Sequence, residues 1–546
     1  VRISICTHHA YKANRPEQNQ STLLEGFHFR IPFLFPSYEL PTNENPKLGA
    51  SHNFVGKAFR YSCILRELSA IRPVIGSEKV FFETWSFVKM APELSDALVF
   101  FGASGDLANK QIFPALQALV KHGHLDIPVI GVAKANWNLE QLKARARESL
   151  EKHGGIDPSA FEKFLSLLKY IDGDYADAET FSKLREALAG AKRPLYYLAI
   201  PPALFGAVVD GLAKADCVKD ARVVIEKPFG HNLASAKELN HTLHKYFDEN
   251  NIFRIDHFLG KEPVLNLIYF RFANPIVDSC WNNQHIESVQ ITMAENFGVA
   301  GREKLYEEEG AIRDVVQNHM LQVIACLAME CPAAGDHKAS RDQRGDILKA
   351  VRTLVPADLV RGQFRGYRAE PGVAADSSVE TFAALRFHID NERWEGVPFY
   401  VRVGKCLPVT ATEVVVRFKK PPRPVLDETS RAQECFYRFR LSPNQVIALG
   451  LKLKTPGENM IGAISELVVH KGPADTMLPY ERLLGDAIRG DATLFAWEDS
   501  EASAWRILDP VLDNVTPIHE YEPATWGPTQ AAASIEPAGG WYDPEP

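Results

Sequence analysis

The feature that most restricts the fold is an apolar run, Ala97–Phe101 (ALVFF), leading straight into Gly102-Ala-Ser-Gly105-Asp-Leu-Ala108. A short strand with no polar alternation is buried on both faces, which is the habit of parallel sheets. Parallel neighbours need a crossover, and Ile112, Leu116, Leu119 and Val120 supply one at helical spacing. Ile127–Ala133 (IPVIGVA) reads as the second strand, and the alternation continues through Leu195–Ile200 (LYYLAI) and Arg222–Ile225 (RVVI). Residues 90–255 are therefore predicted to form an α/β domain with a doubly wound parallel sheet.

Gly102 and Gly105 allow a tight turn, and backbone N–H groups at a helix start can hold a pyrophosphate. The spacing is G-x-x-G-x-x-A rather than G-x-G-x-x-G, so a plain strand-to-helix turn is the competing reading. The second strand bears on the choice of cofactor. NAD sites usually end it with an acid that clamps the ribose hydroxyls, whereas here Lys134 follows Ala133. A cation there suits a 2′-phosphate and points to NADP, with a merely solvated lysine as the alternative.

After residue 256 the rhythm changes. A helix is predicted over 263–272, a strand over Ser288–Glu295 and a long helix over 308–330. Strand candidates follow at Thr381–Ile389, Pro398–Val403, Glu413–Phe418, Gln445–Leu453 and Glu466–Val469. Residues 256–530 are thus expected to form an α+β domain on a large, mainly antiparallel sheet, with an irregular tail over 531–546. Residues 1–89 differ in composition: they hold no Asp and no Met, and eleven Lys and Arg against seven Glu. They are expected to lie outside the working domain, as a mis-set translation start would leave them.

A formal charge of −8 argues against a general nucleic-acid binder, so an anionic ligand needs local cations. No apolar run reaches membrane-spanning length and no basic segment with an apolar core opens the chain, which points to a cytoplasmic protein with no membrane partner. The eight cysteines show no C-x-x-C pair or metal-type spacing, so reduced thiols and no metal are expected.

Three segments carry the candidate chemistry. Glu226-Lys227-Pro228-Phe229-Gly230 follows a strand at the carboxyl edge, where such sheets bind ligands, so Lys227 can reach a substrate oxygen. Arg254–Glu262 packs Asp256, His257 and Lys261 together just before Pro263 opens a helix, a setting suited to a phosphate. In the third segment, Arg313–His319, Ile312, Val316, His319, Val323 and Leu327 share one helical face. A histidine in an apolar stripe is, taken alone, more often a core residue than a base. Asp314 lies five residues from His319, off its face in an ideal helix, so their cooperation requires an irregular helix start.

Together, GASGDLA, EKPFG, RIDHFLGKE and RDVVQNH resemble the glucose-6-phosphate dehydrogenase family in order and spacing. Ser378–Phe387, Asn391–Gly396, Gly404-Lys405 and Trp505-Arg506-Ile507 extend the likeness, which covers roughly residues 95–530. The resemblance implies a Rossmann domain followed by the antiparallel-sheet domain, joined into homodimers or homotetramers through that sheet. By motif match, His319 is the general base and Asp256 its orienting carboxylate, while His257 and Lys261 bind the sugar phosphate. Lys227, Glu295, Asp314 and Lys405 hold sugar hydroxyls or the reacting oxygen. Gly102, Ser104, Gly105, Asp106 and Leu107 line NADP, with Lys134 where the family usually has Arg and Lys227 also among the cofactor-binding residues. The implied reaction converts β-glucose 6-phosphate and NADP to 6-phosphogluconolactone and NADPH, the opening step of the oxidative pentose phosphate pathway.

The chain departs from the pattern at Phe258 (commonly Tyr), Gln111 (commonly basic) and Thr410 (commonly a second cation). Each uncompensated contact to a charged group is worth roughly 1.5–3 kcal/mol. Of the cations that carry a second, structural NADP in some members, only Arg440 is matched, and that site is not expected. Two other functions compete: another NADP-dependent sugar dehydrogenase, and a catalytically silent relative that binds NADPH.

Overall fold

The computed structural model describes residues 3–6, 94–333, 337–421, 423, 434–457, 460–470 and 477–546. Apart from the strand β1 (Ile3–Cys6), the segment 1–89 lies outside the described residues.

The first layer is a six-stranded parallel sheet built from β2 (Ala97–Phe101), β3 (Val129–Ala133), β4 (Leu168–Asp172), β5 (Pro194–Leu198), β6 (Arg222–Glu226) and β7 (Ile252–Ile255). Their order is β4-β3-β2-β5-β6-β7, with every pair parallel. All residues of β2, β3, β5, β6 and β7 are buried, as the apolar runs of β2 and β3 require, with Arg222, Glu226 and Arg254 buried among them. The edge strand β4 (LKYID) exposes Lys169 and has a mixed pattern, which is why apolar patterning passes over it. Because the strands are parallel, their carboxyl ends form one edge. Along it stand, in order, Lys134, Gly102, Lys227 and Asp256, each directly following its strand.

The second layer is a ten-stranded sheet: β1-β15-β14-β13-β12-β8-β11-β10-β9-β16. Its other strands are β8 (Ile286–Ala294), β9 (Leu359–Phe364), β10 (Phe382–Phe387), β11 (Phe399–Gly404) and β12 (Ala411–Phe418). The set is completed by β13 (Phe436–Ser442), β14 (Val446–Lys454), β15 (Gly462–His470) and β16 (Ile518–Tyr521). Only β8 with β11 and β9 with β16 pair in parallel. The β9, β13 and β16 strands were not expected from the sequence; arginine-interrupted runs such as FYRFRLS conceal their period.

The predicted long helix is three pieces. Glu303–Ala311 is helical but broken at Gly310, Ile312–Met320 is π-helical, and Leu321–Ala328 is α-helical. The last piece is buried throughout, so its terminal carbonyls cannot be satisfied by water. Two fully buried tryptophans supply the donors: Trp281 Nε1 to Leu327 O at 2.8 Å and Trp394 Nε1 to Ala328 O at 2.9 Å. The tail is more ordered than its composition suggests. Thr529–Ser534 is a short helix, and Asp543 pairs with Arg402 of β11 at 2.8 Å while Trp541 stacks on the same guanidinium.

Trp394→Phe keeps an aromatic ring but leaves the buried Ala328 carbonyl without a donor. It is expected to cost about 1–3 kcal/mol, seen as a lower urea midpoint. An unchanged midpoint would refute this cap.

Candidate functional site

The residues singled out in the sequence meet where the carboxyl ends of β6 and β7 face the π-helical run. Asp256 follows β7 directly, so a strand fixes its backbone; its Oδ1 accepts from the Phe258 amide at 2.9 Å. The same oxygen lies 2.6 Å from His319 Nδ1. Both side chains are almost wholly buried, at 2 % and 3 % exposure. A carboxylate at Nδ1 fixes the tautomer with the proton there and leaves Nε2 with its lone pair. The Phe258 ring stacks on the imidazole, with centroids 4.2 Å apart and planes 16° from parallel, so the orientation is held from two sides.

The irregular helix start that cooperation of Asp314 and His319 requires is present. In a π-helix residues five apart are brought together by the i→i+5 repeat. Side chains occupy carbonyls that an α-helical ladder would use: Lys227 Nζ donates to Asp314 O at 2.6 Å, and Asn318 Nδ2 to Arg313 O at 3.0 Å. Insertion of a side chain into the ladder is a physical cause of such distortion. Lys227 Nζ also lies 3.2 Å from Asp314 Oδ1, and Arg302 lies 3.3 Å from the same oxygen. The Lys227–Pro228 peptide is cis, the isomer open to this position from its sequence.

The remaining predicted residues join this cluster. The His257 ring meets the His319 ring edge-on at 4.5 Å, and Lys261 Nζ sits 3.5 Å over Phe258. Glu295 and Lys405 follow the ends of β8 and β11, whose parallel register aligns Ala294 with Gly404, and their side chains pair at 2.5 Å.

Burial and crowding set the charges. Burial would raise Asp256, but the His319 and His257 charges and the bond to His319 outweigh it and hold the carboxylate well below its ordinary range. Burial, with help from Lys227 and Lys261, keeps His319 below 6.5 against the pull of Asp256. His257 is pushed well below 6.5 by burial and by His319. Burial lowers Lys261 to about 8, Lys227 adding to the effect against Asp256 and Glu295. Asp314 is raised by burial but held low overall by Lys227, Arg302 and Lys405. Lys227 and Lys405 pair with Asp314 and Glu295, while Lys261 lies over Phe258 beside His257, a cation placed for an anion.

The glycine turn lies farther along the edge. Gly102 has φ +84°, and a Cβ there would fall 2.1 Å from Ala199 O, so only glycine fits. Ser104 and Gly105 are half-buried and Asp106 exposed, which leaves the turn's backbone approachable. The half-buried Leu107 precedes a π-helical turn, Ala108–Ile112, that leads into the helix Phe113–Lys121. From β2 to β6 is two strand spacings, about 10 Å, a span an extended dinucleotide can bridge. Lys134 Nζ is exposed and pairs with Asp174 at 2.6 Å. The turn and Lys134 therefore fit a 2′-phosphorylated dinucleotide, with Asp174 competing for the cation.

Three participants were not expected. Tyr480, opening a helix more than two hundred residues from His257, stacks on its ring at 6.2 Å. Glu226, known only as the first letter of its tripeptide, is buried against the Tyr197 hydroxyl. Arg302 reaches Asp314 from beyond the helix break. None has a local spacing that betrays it. Thr410, the missing cation, instead donates to Asn296 Oδ1 at 2.7 Å.

Burial raises Glu226 to about 7, against the hydroxyls of Tyr197 and Tyr480 and the charge of Lys227. A raised folded-state value contributes stability below the unfolded value near 4.5, and loses it as pH climbs through 7. Glu226→Gln, which does not ionise, should gain Tm relative to wild type between pH 4.5 and pH 8. A Tm difference independent of pH would contradict this.

The family model of the glucose-6-phosphate dehydrogenase NAD binding domain matches residues 99–266, and that of the glucose-6-phosphate dehydrogenase C-terminal domain matches residues 268–542. The chain is 43 % identical over 452 residues to glucose-6-phosphate 1-dehydrogenase 1 of Mycobacterium tuberculosis, covering 82 % of this chain and 97 % of that one. The crystal structure of glucose-6-phosphate 1-dehydrogenase from Mycobacterium avium is similar at 43 % identity and TM-score 0.76, over 83 % of this chain and 99 % of that one. A glucose-6-phosphate dehydrogenase solved with its substrate glucose 6-phosphate is similar at 33 % identity and TM-score 0.76, over 83 % and 100 % of the two chains.

Proposed function

Since this chain belongs to the glucose-6-phosphate dehydrogenase family, we propose that it oxidises glucose 6-phosphate at C1 to the 6-phosphogluconolactone with NADP as the acceptor. That reaction opens the oxidative pentose phosphate pathway. The observation that carries this reading is the buried 2.6 Å contact between His319 Nδ1 and Asp256 Oδ1, beside His257 and Lys261.

The dinucleotide, when bound, supplies the acceptor for the hydride leaving C1. The chain's own residues manage the proton and the position. His319 Nε2 takes the proton of the C1 hydroxyl; the O–H electron pair becomes the second C–O bond as hydride departs. Asp256 stabilises the imidazolium formed, and burial of both groups strengthens that interaction by excluding water. Lys261 and His257 hold the phosphate, and a dianion there offsets the burial that lowers Lys261. Lys227, Asp314, Glu295 and Lys405 orient the sugar hydroxyls. Gly102, Ser104, Gly105, Asp106 and Leu107 form the dinucleotide turn, and Lys134 takes the 2′-phosphate.

Residues 90–255 serve as the NADP domain and 256–530 as the substrate and assembly domain. Copies join as a homodimer or homotetramer through the large sheet, on whose strand β15 Leu467 and Val469 are 42 % and 45 % exposed. Action in the cytoplasm is consistent with the absence, among the described residues, of a helix long and apolar enough to cross a membrane.

The test is NADPH formation at 340 nm with glucose 6-phosphate. His319→Ala should lower kcat about 10²–10⁴-fold while NADPH still binds; turnover with unphosphorylated glucose alone, or binding without turnover in the wild type, would refute the proposal. Cofactor choice is tested at the Lys134–Asp174 pair. Lys134→Glu should reduce kcat/KM for NADP far more than for NAD. Asp174→Asn should raise the NADP preference by freeing the ammonium, and an unmoved ratio in both variants would exclude this locus.

A further inference from the structure

One buried acid outside the reacting group contacts the start of the helix that carries His319. Glu380 precedes β10 and is 5 % exposed. Its Oε1 accepts from the amide of Ile312, the first residue of the π-helical run, at 3.1 Å. Its backbone carbonyl accepts from the Ala311 amide at 2.9 Å. Immediately before stands Gly310, with φ 62° and ψ −177°, a conformation open essentially to glycine alone. A Cβ at Gly310 would lie 2.5 Å from the same Oε1, so the carboxylate occupies the space a side chain would take. On its far side Glu380 is held by Arg361, 3.5 Å from Oε2, which also donates to Asn514 Oδ1 at 2.7 Å and Thr516 O at 2.8 Å.

We infer that Glu380 is a positioning residue: its side-chain and backbone oxygens fix the Gly310–Ile312 break, and so set the faces on which Asp314 and His319 stand. The inference rests on the roles proposed above for those two residues. A helix has unpaired N–H groups at its start, and a buried start needs an acceptor. Here the acceptor comes from the residues just before β10, whose Phe382 pairs with Gly404, so the helix phase is referenced to the large sheet rather than left to local propensity. Thr381, the next residue, accepts from the Lys405 amide at 2.9 Å, which ties the same backbone to the Glu295–Lys405 pair. One short stretch of chain thus aligns two halves of the site. The helix break, the glycine and the carboxylate form a lock in which each part excludes the alternative: an α-helical continuation through Gly310 would expel Glu380.

The test compares Glu380→Gln, Glu380→Asp and Glu380→Ala in the full chain. Initial rates are measured against glucose 6-phosphate, and kcat is expressed per chain that binds NADPH in a fluorescence titration. Gln retains an acceptor oxygen at the same reach and should keep kcat within about 3-fold of wild type. Asp retains the charge facing Arg361 but is one methylene short of Ile312. Asp and Ala should lose kcat on the order of 10- to 100-fold, the scale of an ångström-level misplacement. KM for glucose 6-phosphate should move less than kcat does, because His257 and Lys261, which hold the phosphate, belong to another segment. Were Glu380 needed only for folding, kcat per NADPH-binding chain would be unchanged in all three, and Asp would match or exceed Gln; either result overturns the inference. A wild type that forms no NADPH from glucose 6-phosphate would overturn the functional reading as well, whereas an active wild type with unaffected Asp and Ala variants would overturn this inference alone.

Discussion

Asp256 and His319 stand 63 residues apart in sequence, one at the end of a parallel strand, the other on a distorted helix, and meet at 2.6 Å out of reach of water. A buried carboxylate without a partner is costly, and removing one member of a buried pair is more so. The pair therefore demands that both its supports be rigid. The parallel sheet meets that demand for Asp256, because β7 is buried and bonded along β6. The two tryptophans that cap Leu321–Ala328 and the acid that fixes the start at Ile312 meet it for His319.

The charges around the pair form a coherent pattern. Lys227, Lys261 and Lys405 bring three cations to a volume that already holds two imidazoles depressed toward neutrality. The carboxylates present are each committed: Asp256 to His319, Asp314 to Lys227, Glu295 to Lys405. Lys261, over Phe258 and beside His257, is the cation left to meet an anionic group of the substrate. A phosphorylated sugar satisfies it, which links the electrostatics to the substrate class.

The parallel sheet and the segments bearing Lys227, Asp256 and His319 are legible in the sequence, for a physical reason. Strands buried on both faces, such as ALVFF and RVVI, carry an unbroken apolar signal, and ligand-binding residues fall just after them. The antiparallel sheet is less legible, since β13 alternates arginine with aromatic residues and its polar side chains are spent on ion pairs: Arg440 with Glu413, and Arg438 with Glu466. Glu295 and Lys405 follow unremarkable strands, and only the resemblance marks them. Tyr480 and Glu380 are invisible because their partners are remote, and the long-helix pattern of Ile312, Val316 and Val323 conceals a break that only Gly310 hints at.

The π-helical run has a consequence for how this chain can vary in length. An α-helix turns about 100° per residue, so losing one residue between 312 and 318 could restore a regular ladder while swinging the imidazole toward a different wall. Loops elsewhere absorb such changes at their tips. Here the surplus residue cannot be traded for conventional geometry without forfeiting the alignment, so among homologues this stretch should admit substitutions yet no insertions or deletions.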